Sequence, residues 1–154
     1  MKKRIILITS YAFIIDQIIK YFVCNYLTNK TIIPNFISLI YAQNKGVAFS
    51  MLEEKRIFII IMSIILLSLL AYSFKKDYFV NKKSSHLVCV SYGLLFGGIL
   101  GNLVDRIIRG FVVDYVSLNI IGYHFPIFNL ADVLITVGII IMIILTIKDK
   151  EDIK

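Results

Sequence analysis

The sequence has few of the residues that build disulfide, zinc or nucleophile sites. It contains only two cysteines, Cys24 and Cys89, and their separation matches no metal-binding or redox motif. We expect both to be unpaired thiols in membrane segments. No serine-centred elbow, glycine-rich phosphate loop or nucleic-acid-binding pattern is present either. No cofactor is expected, and the acidic side chains become the candidates for chemistry.

Charged residues are scarce as well, at 18% of the chain, whereas hydrophobic residues make up 58% and the mean hydropathy is +0.83. A soluble domain of this length is nearer half apolar, so the composition indicates a membrane protein. A membrane-spanning helix needs about 20 apolar residues. Four segments meet that need, at roughly 5–24, 57–74, 87–104 and 126–147. We therefore expect a single all-α domain over residues 1–154, a bundle of four transmembrane helices.

The first apolar segment follows a basic start, as a signal peptide does. A signal peptide would end in a small-residue cleavage site, and none follows here. Asp16 and Lys20 also interrupt the apolar stretch. We therefore interpret residues 5–24 as the first membrane span.

The net charge of +7 is best explained by membrane topology, because the basic residues are unevenly placed. In a soluble protein such an excess would suggest nucleic acid as a partner, but no nucleic acid is expected here. Loops rich in Lys and Arg stay in the cytoplasm, which predicts that both termini are cytoplasmic. Ten of the seventeen basic residues lie on that side: Lys2, Lys3, Arg4, Lys75, Lys76, Lys82, Lys83, Lys148, Lys150 and Lys154.

The external segment 25–56 carries a strand–turn–strand pattern. Residues 37–43 and 47–51 are the predicted strands, and Asn44-Lys45-Gly46 is the predicted turn. Because an isolated hairpin is marginal in water, we expect it to rest on the membrane surface or on the helix ends. The expected fold is thus four spans with a small extracytoplasmic β-hairpin, or cradle.

The third span carries glycines at intervals of four residues. Gly93, Gly97 and Gly101 fall on one face of that helix. Such a stripe lets a neighbouring helix approach closely, so we predict a packing role for these three.

Polar residues inside the spans form pairs four residues apart, the spacing at which helix neighbours touch. Each pair has two interpretations: it stabilises its helix, or it forms part of a functional site in the membrane. The arginine of the second pair is also suited to anchoring at the interface or to binding a phosphate, carboxylate or carbonyl group. The pairs are Asp16 with Lys20, Asn102 with Arg106, and Asp105 with Arg109.

Asp114 and Asp132 are the most informative residues in the chain. Asp114 lies in the connection 105–125, and Asp132 shares a face of the fourth helix with Asn129 and Thr136. With Pro126 in the first turn of that helix, Asp132 is expected about 9 Å along its axis. Two carboxyl groups a few ångströms apart share one proton, so one can activate water while the other protonates a carbonyl oxygen. This predicts hydrolysis of a peptide bond by a general acid and a general base.

Other functions remain open on residue spacing alone. Asp132 can cap its helix or pair with Arg106 without any catalytic role. Asp114, Asp132 and His124 together offer ligands for a divalent metal, although no local ligand spacing supports this. A proton channel that relays protons through Asp16 would have acidic residues throughout the membrane depth, usually within an inverted repeat. The first and second halves of this sequence do not resemble each other, which argues against a channel. A non-catalytic scaffold would tolerate loss of Asp114.

Five short motifs together resemble the lipoprotein signal peptidase family, the type II signal peptidases of bacteria. Each motif is weak alone, but their order covers nearly the whole chain and is specific. The motifs are Asp16-Gln17-Ile18-Ile19-Lys20, Asn44-Lys45-Gly46-Val47-Ala48-Phe49-Ser50, Gly101-Asn102-Leu103-Val104-Asp105-Arg106, Val112-Val113-Asp114-Tyr115 and Phe128-Asn129-Leu130-Ala131-Asp132.

The resemblance implies an aspartic endopeptidase with Asp114 and Asp132 as its catalytic dyad and no metal. It implies supporting or substrate-binding roles for Asp16, Lys20, Asn44, Gly46, Asn102, Arg106 and Asn129. The implied reaction removes the signal peptide from diacylglyceryl-modified prolipoproteins, just before the lipidated cysteine, at the outer face of the bacterial cytoplasmic membrane. The family also implies contact with membrane lipid, a mobile lid around 110–125 and inhibition by the cyclic peptide globomycin. We expect a monomer.

Overall fold

The computed structural model describes residues 2–46, 55–80 and 86–151, which form four long helices and a small sheet. The helices are α1 (Lys2–Tyr26), α2 (Arg56–Val80), α3 (His86–Ile108) and α4 (Leu130–Glu151). Each is long and apolar enough to cross a membrane. The four predicted spans are therefore confirmed as helices, with one correction at the start of α4.

Helix α4 begins at Leu130, not near Pro126 as predicted. Pro126, Ile127 and Phe128 are apolar, so they lengthen the hydrophobic run without belonging to the helix. Asp132 consequently lies in the first turn of α4 rather than about 9 Å along its axis.

Helix α3 is the centre of the bundle, and α1 and α4 pack on two of its faces. An added Cβ at Gly97 would lie 2.5 Å from the Cβ of Ala12 in α1, and one at Gly98 would lie 2.5 Å from the carbonyl oxygen of Ala131. Side chains larger than hydrogen would therefore separate the helices. The predicted packing role of the glycine stripe is confirmed, and Gly98 adds a second close approach.

The sheet has four antiparallel strands in chain order: β1 (Lys30–Ile33), β2 (Ile37–Asn44), β3 (Val112–Ile120) and β4 (Tyr123–His124). The predicted strand 37–43 is confirmed as β2, whereas its predicted partner 47–51 lies outside the described residues. In the described part of the chain β2 pairs with β1 and β3, and β3 comes from the connection between α3 and α4. That connection, expected to carry a lid, contributes the hydrogen-bonded strands β3 and β4 to the sheet.

Strand β3 is held against the last turns of α1. Val113 and Tyr115 are buried in one apolar cluster with Val23. The sheet therefore lies at the end of the bundle where α1 and α3 end and α4 begins. This arrangement places Asp114 of β3 beside the first turn of α4.

Candidate active site

The two aspartates line one cavity of about 460 Å³ at the sheet end of the bundle. Asp114 is 2% exposed on β3, and Asp132 is half-buried in α4. The same cavity is lined by Asn44, Asn102 and Arg106. The structure thus brings together two carboxyl groups that the sequence separates by a strand and a loop.

Three asparagine side chains direct their amide N–H groups at these carboxyl groups. Asn44 donates to Asp114 at 2.9 Å, and Asn129 donates to the other oxygen of Asp114 at 2.6 Å. Asn102 donates to Asp132 at 2.8 Å. Each amide is supplied by a different element, so the positions of β2, α3 and the start of α4 together determine the surroundings of the pair.

The orientation of each amide is set by what its oxygen accepts. The Asn44 oxygen accepts from the backbone N–H of Gly46 at 3.0 Å. The Asn102 oxygen accepts from Lys20 Nζ at 2.9 Å. The Asn129 oxygen accepts from the backbone N–H of Asp132 at 3.1 Å. With its oxygen engaged by a donor, each amide has its nitrogen turned toward a carboxylate.

Asn129 and Asp132 form a reciprocal cap at the start of α4. The Asn129 side chain accepts from the Asp132 N–H, and the Asp132 carboxylate accepts from the Asn129 N–H at 3.1 Å. This is a capping box built from Asn and Asp. Two further N–H groups of the first turn are also bound, Leu130 to the Tyr115 hydroxyl and Ala131 to Asp16. The first turn is therefore tied to both β3 and α1.

A buried ionic cluster lies directly behind Asn102. Lys20 contacts Asp16 at 2.9 Å and Asp105 at 3.0 Å, and all three side chains are fully buried. Arg109 also pairs with Asp105, so two acids are balanced by two bases. Gln17 links the cluster by donating to both acids and accepting from Arg109. The predicted Asp16–Lys20 and Asp105–Arg109 pairs are confirmed.

Arg106 supports the cavity wall rather than serving as an interfacial anchor. Its guanidinium donates to the carbonyl oxygens of Asn102 at 3.3 Å and Gly46 at 2.8 Å. Gly46 is thereby fixed to α3, which holds the turn after β2 beside the dyad. Among the described residues, no partner accepts from the buried Nε of Arg106. That donor is available to a group entering the cavity.

The surroundings of Asp114 favour its protonated form. Its pKa is raised from 3.8 to about 6, chiefly by burial; the hydrogen bonds from Asn44 and Asn129 oppose this rise, and the charge of Asp132 adds to it. Burial likewise raises the pKa of Tyr115 to about 12, so its hydroxyl stays neutral and caps α4. The dyad therefore contains one carboxyl group that retains its proton in mildly acidic conditions.

His124 does not line the dyad cavity. It lies on β4, opposite Asn119 of β3, and lines a different cavity of about 410 Å³. Within residues 2–46, 55–80 and 86–151, no three His, Cys, Asp or Glu side chains are grouped as metal ligands. The alternative of a metal held by Asp114, Asp132 and His124 has no geometric support.

Every predicted site residue belongs to this connected network, and two residues were missed. Gln17 stands inside the first of the five motifs, and Tyr115 follows Asp114 directly. Their polar atoms inside apolar segments are the signal that could have identified them. Cys24 and Cys89 are free, the first exposed and the second buried, as predicted.

Comparison with known proteins gives one consistent family. The model for Signal peptidase (SPase) II matches residues 8–148. A lipoprotein signal peptidase of Staphylococcus aureus strain JH9 is 40% identical over 150 residues, which cover 96% of this chain and 90% of that protein. The corresponding protein of strain Newman gives the same values.

Two solved structures agree with this result. A bacterial membrane enzyme determined by the in meso method at 2.3 Å resolution is 37% identical, with a TM-score of 0.85 over 97% of this chain and 91% of that one. A second, at 1.9 Å, is 37% identical, with a TM-score of 0.80 over 94% of this chain and 93% of that one. By sequence and by fold, the chain belongs to the signal peptidase II family of membrane-embedded aspartic proteases.

Proposed function

We propose that this protease removes the signal peptide from diacylglyceryl-modified prolipoproteins by cutting just before the lipidated cysteine. The similar proteins of Staphylococcus aureus are lipoprotein signal peptidases, which supports a lipoprotein substrate. The observation that carries the mechanism is the shared cavity of Asp114 and Asp132, in which burial raises the pKa of Asp114 to about 6. A pair with unequal proton affinities supplies an acid and a base at once.

The two aspartates have different roles in this mechanism. Asp132 lies in the first turn of α4, half-buried, where its carboxylate accepts hydrogen bonds from the Asn102 side chain and the Asn129 N–H. Asp114 is nearly fully buried and keeps its proton more readily. Asp132 therefore takes a proton from a bound water, while Asp114 donates its proton to the carbonyl oxygen of the scissile bond.

The second half of the reaction restores both groups. Water oxygen has bonded to the carbonyl carbon, giving a neutral tetrahedral diol. Asp132 returns its proton to the leaving amine nitrogen as the carbon–nitrogen bond breaks, and Asp114 recovers a proton from a diol hydroxyl. No covalent intermediate with the protein is formed, and no other group is needed for the balance of protons.

Arg106 compensates the charge of the dyad during this cycle. With one proton shared between Asp114 and Asp132, the dyad carries a single negative charge, and the nearby guanidinium carries a single positive one. A neutral set of groups is far less costly in a membrane than an unpaired charge. The Nε of Arg106, which has no acceptor among the described residues, is suited to a carbonyl group of the substrate.

The substrate dictates where the site must lie. A signal helix with two acyl chains already resides in the bilayer, so cleavage at its outer end requires a site near the extracytoplasmic face. The sheet and the dyad share one end of the bundle, and the basic residues favour cytoplasmic positions for the other end. Globomycin is the expected inhibitor, and the working form is expected to be a monomer in the bacterial cytoplasmic membrane.

The test is cleavage of a diacylglyceryl-modified prolipoprotein by the purified protein. Asp114→Asn and Asp132→Asn are each expected to lower kcat by about a thousandfold or more, because each removes one proton-transfer group. Asp149→Asn, the same change at the far end of α4, is the matched control and should retain full activity. The same reactions run with EDTA should proceed unchanged. Cleavage by both dyad variants would disprove the mechanism, and loss of cleavage in EDTA would restore the metal hypothesis.

A further inference from the structure

The last turn of α3 ends in a way that leaves a carbonyl oxygen to be capped. In a continuing helix, the N–H of Gly110 would bind the carbonyl oxygen of Arg106, four residues earlier. Gly110 has a positive φ of 86°, which favours glycine and ends a helix, and its N–H binds the carbonyl oxygen of Asp105 at 3.2 Å instead. The carbonyl oxygen of Arg106 therefore needs a donor from outside α3.

Arg56, the first residue of α2, supplies that donor. Its Nε donates to the carbonyl oxygen of Arg106 at 2.7 Å, and its Nη2 donates to that of Ile107 at 2.8 Å. The guanidinium also lies against Gly110, because a Cβ built there would be 3.4 Å from Nη1. The partial negative charge of a helix C-terminus favours a cation at its last carbonyl groups. We call this contact the α2–α3 clamp; it consists of Arg56 with the carbonyl groups of Arg106 and Ile107.

The clamp holds the residue whose side chain reaches the dyad cavity. Arg56 donates to the backbone carbonyl of Arg106, while the Arg106 guanidinium donates to the carbonyl oxygen of Gly46 at 2.8 Å. Arg106 lines the cavity together with Asp114 and Asp132. It belongs to the last turn of α3, however, and helix ends open more readily than helix centres. A movement of that turn would carry the guanidinium away from the dyad.

Helix α2 is also joined to α3 far from the cavity. The hydroxyl groups of Ser73 and Tyr92 are hydrogen-bonded at 3.0 Å. Ser73 lies 17 residues after Arg56, or about 26 Å along α2. The two helices therefore stay connected when the clamp is removed, so a variant of Arg56 should fold.

We propose that Arg56 is a positioning residue of this peptidase, which fixes the Arg106 guanidinium beside the dyad by capping the end of α3. The proposal rests on the proposed function, because it concerns the charge that Arg106 supplies in that reaction. With the last turn fixed, this positive charge stays where it balances the negative charge shared by Asp114 and Asp132. Arg56 is not among the described residues that line the cavity, so it acts on the reaction through Arg106.

The first test is the kinetics of Arg56→Met, which keeps an unbranched apolar stem and removes every donor. Cleavage of a diacylglyceryl-modified prolipoprotein should show kcat lowered about tenfold and KM within about twofold of the wild-type value. Arg56→Lys keeps the charge without the planar fork, so it should restore part of the loss, to about threefold. Lys55→Met, the same kind of change at the neighbouring exposed residue, is the matched control and should retain full activity.

A double variant tests whether Arg56 acts through Arg106. In an Arg106→Lys background, the further change Arg56→Met should lower the rate by less than about twofold, because the group that it positions is already altered. Single-turnover reactions with excess enzyme keep these slow variants measurable. A full tenfold loss in this background would overturn the proposal, since Arg56 would then act on the reaction by another route. An Arg56→Met variant with raised KM and unchanged kcat would overturn it as well.

Hydrogen exchange tests the clamp without any substrate. The N–H groups of Arg109 and Gly110 both bind the Asp105 carbonyl, so their exchange reports on the last turn of α3. In full-length Arg56→Met in detergent they should exchange about fivefold faster than in the wild type, whereas Lys55→Met should leave them unchanged. Unchanged exchange in Arg56→Met would overturn the clamp. A wild-type protein that does not cleave the prolipoprotein would instead refute the proposed function, so the two failures are distinguishable.

Discussion

At the residue scale, the properties of the dyad depend on amide groups as much as on the aspartates. Asn44, Asn102 and Asn129 each bind a carboxylate through nitrogen and a donor through oxygen. An amide has one acceptor end and one donor end, so fixing the first fixes the second. The amides of Asn44 and Asn129 therefore lower the pKa of Asp114, against the larger effect of burial.

Asn44→Ala tests this view through the pH dependence of cleavage. The Asn44 N–H stabilises ionised Asp114, so its removal should raise the pKa of Asp114 above about 6. Asp114 must be protonated to act as the acid, and activity is lost as pH rises through its pKa. The alkaline limb of kcat/KM should therefore move to higher pH by about one unit.

The matched control for this prediction is Gln43→Ala. Gln43 precedes Asn44 on β2, but its side chain donates to the Tyr41 hydroxyl instead of the dyad. Its alkaline limb should stay in place. A shift of the acidic limb to higher pH in the Asn44 variant, with the alkaline limb unchanged, would show that ionised Asp114 is the active form, which would reverse the two roles.

At the element scale, the sequence predicts the helices better than the strands. A span is a local property, because about 20 apolar residues suffice to define one. Strand β3 pairs with β2, which lies some 70 residues earlier in the chain. The local composition of either segment does not predict that pairing. The β-branched residues Val112, Val113 and Val116 were the available signal. They lie between two spans, where composition alone does not separate a strand from a loop.

The start of α4 shows how a polar signal can override an apolar one. The hydrophobic run begins at Pro126, and hydropathy alone places the helix there. Asn129 followed three residues later by Asp132 is a capping pattern, and the helix begins after it. Capping also explains why Asp132 reaches the cavity, since its place in the first turn points it toward the sheet.

The close contact of α1 with α3 offers a test at this scale. Gly97→Ala should destabilise the protein by about 1–3 kcal/mol, because the new methyl group would overlap the Ala12 side chain. Ala12→Gly should restore part of that loss in the double variant, since it removes the closest obstacle. Thermal unfolding in detergent measures all three variants.

Two results would contradict this interpretation of the α1–α3 contact. One is full stability of Gly97→Ala, which would mean that the helices separate freely. The other is exact additivity of the two changes, which would mean that Gly97 and Ala12 do not share a contact. Gly122→Ala is the useful comparison, because a Cβ there meets nothing within 4 Å and only its positive φ opposes the change.

At the scale of the whole molecule, the polar machinery is concentrated at one end of the bundle. Residues from α1, β2, α3, β3 and α4 meet there, although they come from all parts of the chain. The resemblance to the lipoprotein signal peptidase family was enough to identify these residues from the sequence. It could not give the order of contacts from Lys20 through Asn102 to Asp132, because that order depends on how α1 and α4 pack on α3.

The orientation of the bundle in the membrane is the last prediction. Basic residues cluster at the end opposite the sheet, which predicts that the sheet is extracytoplasmic. After replacement of Cys24 and Cys89 by alanine, single cysteines at Asn35 and Lys3 can be labelled with a membrane-impermeant maleimide. Asn35→Cys should react in intact cells, and Lys3→Cys should react only after lysis.

The reverse pattern would contradict both the orientation and the proposed reaction. A cavity at the sheet end would then open on the cytoplasmic side, whereas the proposed reaction cuts at the outer end of a signal helix. The labelling of Asn35 is informative for a second reason, because this residue lies in the turn between β1 and β2, at one edge of the sheet. Labelling that is slow in membranes but fast in detergent would therefore report both the side and the depth of the sheet.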